Sequence, residues 1–127
     1  MSELCELGLV GLAVMGENLA LNVANHGFRV AVTNRTTSKV DQFISGRAAG
    51  KPIVGCQSLA ELVSRLTSPR KVMLMVKAGP AVDTLIESLL GLLSPGDVII
   101  DGGNTHFAET ERRTRHVEER GLLYVGT

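Results

Sequence analysis

Two glycines bracket the hexapeptide Gly11-Leu12-Ala13-Val14-Met15-Gly16. It follows an apolar tetrapeptide, Leu7 to Val10, and runs into a stretch of helical spacing, Met15 to Asn25. A glycine at a strand end permits a tight turn, and a second at the helix start lets helix pack closely on strand. The N–H groups of such a helix start, aided by the helix dipole, attract a diphosphate. The middle position of the usual pattern is Ala13 rather than glycine, so its methyl should hold the diphosphate slightly further out. Nineteen residues beyond Gly16 stands Arg35, within Asn34-Arg35-Thr36. At that distance dinucleotide-binding folds meet the adenosine ribose, and sites for NAD place Asp or Glu there to accept its hydroxyls. Asn34 brings no negative charge to repel a 2′-phosphate. Arg35 can grip that phosphate through two parallel hydrogen bonds and stack on adenine, and Thr36 adds a hydroxyl. The two motifs together read as a site for NADP in preference to NAD.

Two later segments fall at the same edge of the expected sheet. Val76-Lys77-Ala78-Gly79 and Asp101-Gly102-Gly103-Asn104 each follow an apolar run. Small residues there let a ligand approach the backbone, and ligands of parallel sheets bind outside the carboxyl ends of the strands. Asn104 offers both donor and acceptor, suited to a carboxamide or a polyol. Lys77 can meet a phosphate or carboxylate. Each segment is equally readable as an ordinary strand-to-helix turn. His26, His106 and His116 make no metal cluster: His26 falls near a helix end and His116 on a charged helix, which suits cap or surface roles, while His106 lies nearer the ligand edge. No Ser/His/Asp or Cys/His arrangement is legible. Glu109, Glu111, Arg112, Arg113 and Arg115 read as a solvated helix face.

The elements that must position these residues alternate regularly. Strands are expected at Leu7 to Val10, Val30 to Thr33, Ile53-Val54, Val72 to Val76, Val98 to Ile100 and Leu122 to Val125. Between them lie helical patterns. In Met15 to Asn25, Leu19 and Val23 share a face, and Asn25-His26-Gly27 is a stop signal. Thr37 can cap a helix running through Phe43 and Ile44 to Gly46. Ser58-x-x-Glu61 is a capping box for a helix to Leu66, Pro80 opens one reaching about Leu93, and Phe107 to Arg120 forms a charged one. Such alternation implies crossover connections and an α/β fold, a Rossmann-type doubly wound, mostly parallel sheet of six strands in one domain, 1–127.

Composition excludes several classes. Of 127 residues 44% are hydrophobic, enough for one core. Net charge is zero and aromatics are only 3%, so there is neither a basic field nor a stacking platform for nucleic acid. Apolar runs are strand-sized, and no membrane span or secretory signal is expected. The two cysteines, Cys5 and Cys56, form no CxxC pair and point to a reducing, cytoplasmic setting without a disulfide.

As a set, Gly-Leu-Ala-Val-Met-Gly at 11–16, Asn-Arg-Thr at 34–36, Val-Lys-Ala-Gly at 76–79 and Asp-Gly-Gly-Asn at 101–104 resemble the 6-phosphogluconate dehydrogenase family over nearly the whole chain. Ala13 is then the family's own pattern. The resemblance implies NADP-dependent oxidation of 6-phosphogluconate at C3, loss of CO₂, and protonation of the enediol to ribulose 5-phosphate, without a metal. It carries cofactor contacts over to Gly11, Leu12, Ala13, Val14, Met15, Gly16, Asn34, Arg35, Thr36, Val76, Lys77, Ala78 and Asn104, with Asn104 also touching substrate. It further implies a Ser-Gly-Gly substrate loop after Thr127. Beyond that would lie a helical domain bearing the lysine base, the glutamate acid and most of a homodimer interface. The chain alone is thus expected to bind NADP without producing NADPH from 6-phosphogluconate, Lys77 being its one group available for partial activity. A β-hydroxyacid dehydrogenase domain and a non-catalytic dinucleotide-binding module are the alternatives, and the sequence encoded after Thr127 discriminates among the three.

Overall fold

The computed structural model describes residues 4–76, 79–102 and 107–126, the side chains of 107–109 and 126 excepted. Its elements run β1 (Leu7–Val10), α1 (Val14–Asn25), β2 (Val30–Thr33), α2 (Thr37–Ser45), β3 (Ile53–Gly55), α3 (Leu59–Ser64), β4 (Lys71–Leu74), α4 (Pro80–Leu90), β5 (Val98–Asp101), α5 (Phe107–Glu118) and β6 (Leu123–Gly126). The strands form one sheet in the order β3-β2-β1-β4-β5-β6, and every pairing is parallel. The expected antiparallel allowance in a "mostly parallel" sheet is thus unused among the described strands.

Strand periodicity divides the core between the two faces. Leu9, Val30 and Val32 join α1 and α2 residues Ala20, Ala24, Val40 and Phe43 in one cluster. Val10, Ala31, Val72, Leu74 and Ile99 point the other way, toward Leu62 of α3, Val82, Ile86 and Leu89 of α4, and Val117 of α5. Alternate side chains of a strand face opposite sides, so a strand covered on both reads as a continuous apolar run. The order of connection reverses between β1 and β4, where chain leaving the two strands diverges to opposite faces and opens a crevice.

Two expectations about helices change. The face that α1 buries is Gly16, Ala20 and Ala24, with Leu19 and Val23 only partly covered. Small side chains four residues apart bring the helix axis close to the sheet, which larger residues would prevent. The N-cap of α2 is Thr36 rather than Thr37, and its hydroxyl makes no capping bond. The stop at Asn25-His26-Gly27 forms as expected: Gly27 takes a positive φ of 91°, its N–H reaches Ala24 O at 3.0 Å, and His26 Nδ1 lies 2.7 Å from Asn22 O.

Candidate dinucleotide-binding site

The turn after β1 tolerates no side chain at its two glycines. Gly11 has φ +109°, and a Cβ there would lie 2.4 Å from Met75 O. At Gly16 a Cβ would come within 1.9 Å of Gly11 O. The chain can therefore fold back on β4 and start α1 in the same few residues. Ala13 is the N-cap of α1 and offers no side-chain acceptor. The first helical bond runs from Glu17 N–H to Ala13 O at 2.9 Å. The N–H groups of Val14, Met15 and Gly16 thus lack intrahelical acceptors, as helix starts do, and no cap compensates them. Above them the Val14 and Met15 side chains are each 70% exposed. An uncapped helix terminus under two uncovered apolar side chains is suited to an anion with an organic body. Glu17 in the same first turn is neutralised by Arg47, whose Nη1 lies 2.8 Å from its Oε1.

Asn34 and Leu12 have roles beyond direct contact. Leu12 is a core residue, 2% exposed, and its N–H donates to Asn34 Oδ1 at 2.8 Å. Asn34 Nδ2 donates to Thr36 O at 3.2 Å. One amide side chain thereby ties the diphosphate turn to the loop after β2. Arg35 is exposed and makes no hydrogen bond or ion pair among the described residues. With the Thr36 hydroxyl also uncommitted to α2, the start of that helix presents a cation and donors to solvent.

A cleft of about 660 Å³ opens at the carboxyl ends of the strands, and the start of α1 and Thr36 lie outside its lining. Val10, Gly11, Asn34 and Arg35 line one part, and Val76 lines another. Thr37, Gln57 and Ser58, with Ala81, Thr84 and Leu85 of α4, form further walls; of these the sequence singled out only Thr37 and Ser58, and as helix caps rather than ligand contacts. Two signals mark them. Gln57 and Ser58 come one residue after the end of β3 and so fall on the ligand edge, and positions 81, 84 and 85 share one helical face. Lys77, Ala78, Asn104 and His106 lie outside the described residues.

A buried polar network between α4, α5 and β5 corrects the reading of Arg113 as solvated. Its side chain is 2% exposed, facing Asp83 and Asp101. Arg113 and Arg112 hydrogen bonds hold the Asp83 carboxyl below its ordinary range. Tyr124 donates to Asp101 Oδ2 at 2.9 Å, and burial, with that carboxylate, raises the phenol's pKa. His116 pairs with Glu87 at the surface. Among the described residues no group of His, Cys, Asp and Glu is arranged to hold a metal, and no helix is long and apolar enough to cross a membrane.

An anion-seeking helix terminus at the reversal of strand order defines the class: a dinucleotide-binding domain of the Rossmann type. Residues 6–127 match the family model described as the NAD binding domain of 6-phosphogluconate dehydrogenase, and the chain belongs to that family. It is 56% identical over 96% of its length to the decarboxylating 6-phosphogluconate dehydrogenase of Dictyostelium discoideum, covering 25% of that protein. The Haemophilus influenzae enzyme of the same name is 52% identical over 100% of the chain, which covers 26% of it. The chain therefore spans about a quarter of the length of these relatives. Plasmodium falciparum 6-phosphogluconate dehydrogenase, solved in its apo form and with its cofactor NADP+ and its substrate 6-phosphogluconate, superposes with a TM-score of 0.88. That likeness has 41% identity and covers 94% of this chain and 26% of that one. Mycobacterium tuberculosis 3-hydroxyisobutyrate dehydrogenase shares the fold, with a TM-score of 0.81 at 17% identity over 97% of this chain and 40% of that one.

Proposed function

We propose that this chain is the NADP-holding domain of a 6-phosphogluconate dehydrogenase. In such an enzyme it serves the oxidative decarboxylation of 6-phosphogluconate to ribulose 5-phosphate. The observation that carries the reading is the uncommitted Arg35 at the edge of the cleft, beside the open start of α2. An NAD site would place a carboxylate near there; this one places an amide and a guanidinium.

The residues fit the cofactor. The N–H groups of Val14, Met15 and Gly16 meet the diphosphate, Arg35 and Thr36 meet the 2′-phosphate, and Val76 borders the cleft. Lys77, Ala78 and Asn104 complete the proposed contacts, with Asn104 also on the substrate. Bound NADP supplies a hydride acceptor for the substrate's C3 hydroxyl carbon. The chain's own part is to bind and orient; the proton transfers need a base and an acid, which this reading assigns to a helical domain beyond residues 1–127. A homodimer of the longer protein and a cytoplasmic location belong to the same proposal. Two free, buried cysteines accord with that location.

The test is Arg35→Ala with NADP and NAD titrated in parallel by calorimetry. A charge-assisted bidentate contact contributes on the order of 1.5–3 kcal/mol, so NADP should weaken by roughly ten- to a hundredfold while NAD is nearly unchanged. Equal losses for the two would remove the 2′-phosphate assignment.

A further inference from the structure

Arg113 sits in α5, a helix whose neighbouring residues Glu111, Arg112 and Arg115 are exposed, yet its guanidinium is almost wholly buried. Nε donates to Asp83 Oδ1 at 2.9 Å. Nη2 donates to Asp83 Oδ2 at 3.2 Å and to the Gly79 carbonyl at 3.3 Å. Nη1 lies 3.9 Å from Asp101 Oδ2, the oxygen that also accepts from the Tyr124 hydroxyl.

These partners come from separate elements. Gly79 is the N-cap of α4, with φ 136°, and Asp83 lies in its first turn. Asp101 ends β5, and Tyr124 belongs to β6. One side chain thus ties the start of α4 to the end of β5. Burying a guanidinium between two carboxylates is a costly way to fill volume, and an apolar side chain of similar size often packs as stably. What the ionic arrangement adds is direction at α4, where Nε and Nη2 each donate to a set acceptor, together with a charge attraction that reaches Asp101 at the end of β5.

Helix α4 borders the cleft, and β5 ends on the same carboxyl edge of the sheet, next to β4. Val76, two residues past the end of β4, lines the cleft, as do Ala81 and Thr84 of α4. Gly102, just after Asp101, is pressed against Met75: its N–H bonds Leu74 O at 2.9 Å, and a Cβ there would stand 2.4 Å from Met75 Sδ. A dinucleotide lies across two mononucleotide halves of this fold. Arg35 marks the adenosine half, at β2, so the second nucleotide falls over β4 and β5. We propose that Arg113 is a positioning residue: by spacing the start of α4 from the end of β5, it sets the nicotinamide half of the site without touching the ligand. This rests on the reading of the cleft as an NADP site.

The experiment compares NADPH, followed by its nicotinamide fluorescence, with 2′,5′-ADP, which carries only the adenosine half. Both are titrated against the chain and its Arg113→Met, Arg113→Lys and Tyr124→Phe variants. Arg113→Met should weaken NADPH tenfold or more and leave 2′,5′-ADP within twofold. Arg113→Lys should recover part of the loss, since an ammonium can reach one carboxylate but cannot hold Gly79 and Asp83 together. If Arg113→Met does not fold, Tyr124→Phe, which keeps the ring and loses only the bond to Asp101, should show the same selective loss. Equal weakening of the two probes, as general loosening of the fold would produce, overturns the proposal, as does undiminished NADPH binding in the folded variants. Wild-type chain that binds neither probe overturns the proposed function, and this inference with it.

Discussion

At the scale of single residues, Asn34 carries two functions that only substitution can separate. Its Oδ1 holds the Leu12 N–H, and its neutrality leaves room for a phosphate beside Arg35. Asn34→Ala strands a partly buried N–H, a penalty of about 1–3 kcal/mol shared between stability and the order of the turn. It should weaken NAD and NADP alike. Asn34→Asp keeps an acceptor for Leu12 but loses the bond to Thr36 O and adds a charge that repels the 2′-phosphate. It should weaken NADP several-fold more than NAD. Parallel titrations of both variants check this, and an Asp variant that loses both cofactors equally would reduce Asn34 to an anchor. The type of residue at 34 was legible from the sequence, and so was its charge argument. Its bond to Leu12 was not, because nothing in the spacing of two residues 22 apart says which lone pair meets which N–H.

At the scale of elements, the six-residue α3 depends on its ends. So short a helix gains little from propagation. Ser58 Oγ accepts from Glu61 N–H at 3.1 Å, and Glu61 Oε1 accepts from Gln57 N–H at 2.9 Å. The capping box read from Ser58-x-x-Glu61 is therefore present, with its return bond shifted one residue earlier than the usual pattern. Ser58→Ala should cost about 1 kcal/mol, seen as a fall of roughly 3–6 °C in the thermal midpoint. Ser58 also lines the cleft, so cofactor binding at a temperature well below the transition separates the cap from any ligand contact. An unchanged midpoint would mean the cap bond contributes nothing net. Strand positions were readable because apolar runs between turn signals report burial on two faces. Helix faces were less so: Leu19 and Val23 share one face of α1, but contact with the sheet selects the small stripe Gly16, Ala20 and Ala24, since closeness of approach outweighs the area each side chain offers.

At the scale of the whole molecule, the interior keeps its thiols inert. Cys5 and Cys56 are free and fully buried, both with pKa raised first by burial, Cys56 to about 11. A thiolate is the reactive form. At pH 8 neither should react with a disulfide reagent in the native chain, and both should react at once in denaturant. Fast modification of one thiol in folded protein would show that the core opens locally. Alternating strand and helix patterns, the glycine turn and the basic residue after β2 were determined by sequence alone, because each follows from short-range rules: backbone sterics, side-chain period, and the charge a phosphate requires. The carboxyl-edge cleft followed from connectivity, since parallel strands bring their ends together whatever their side chains. Tertiary structure alone decided that Arg113 lies inside while Arg112 and Arg115 remain exposed. Its partner Asp83 is 30 residues away and Asp101 closes another strand. The pattern of a helix reports the average character of each face, whereas the burial of one charge depends on which opposite charges the fold carries to it.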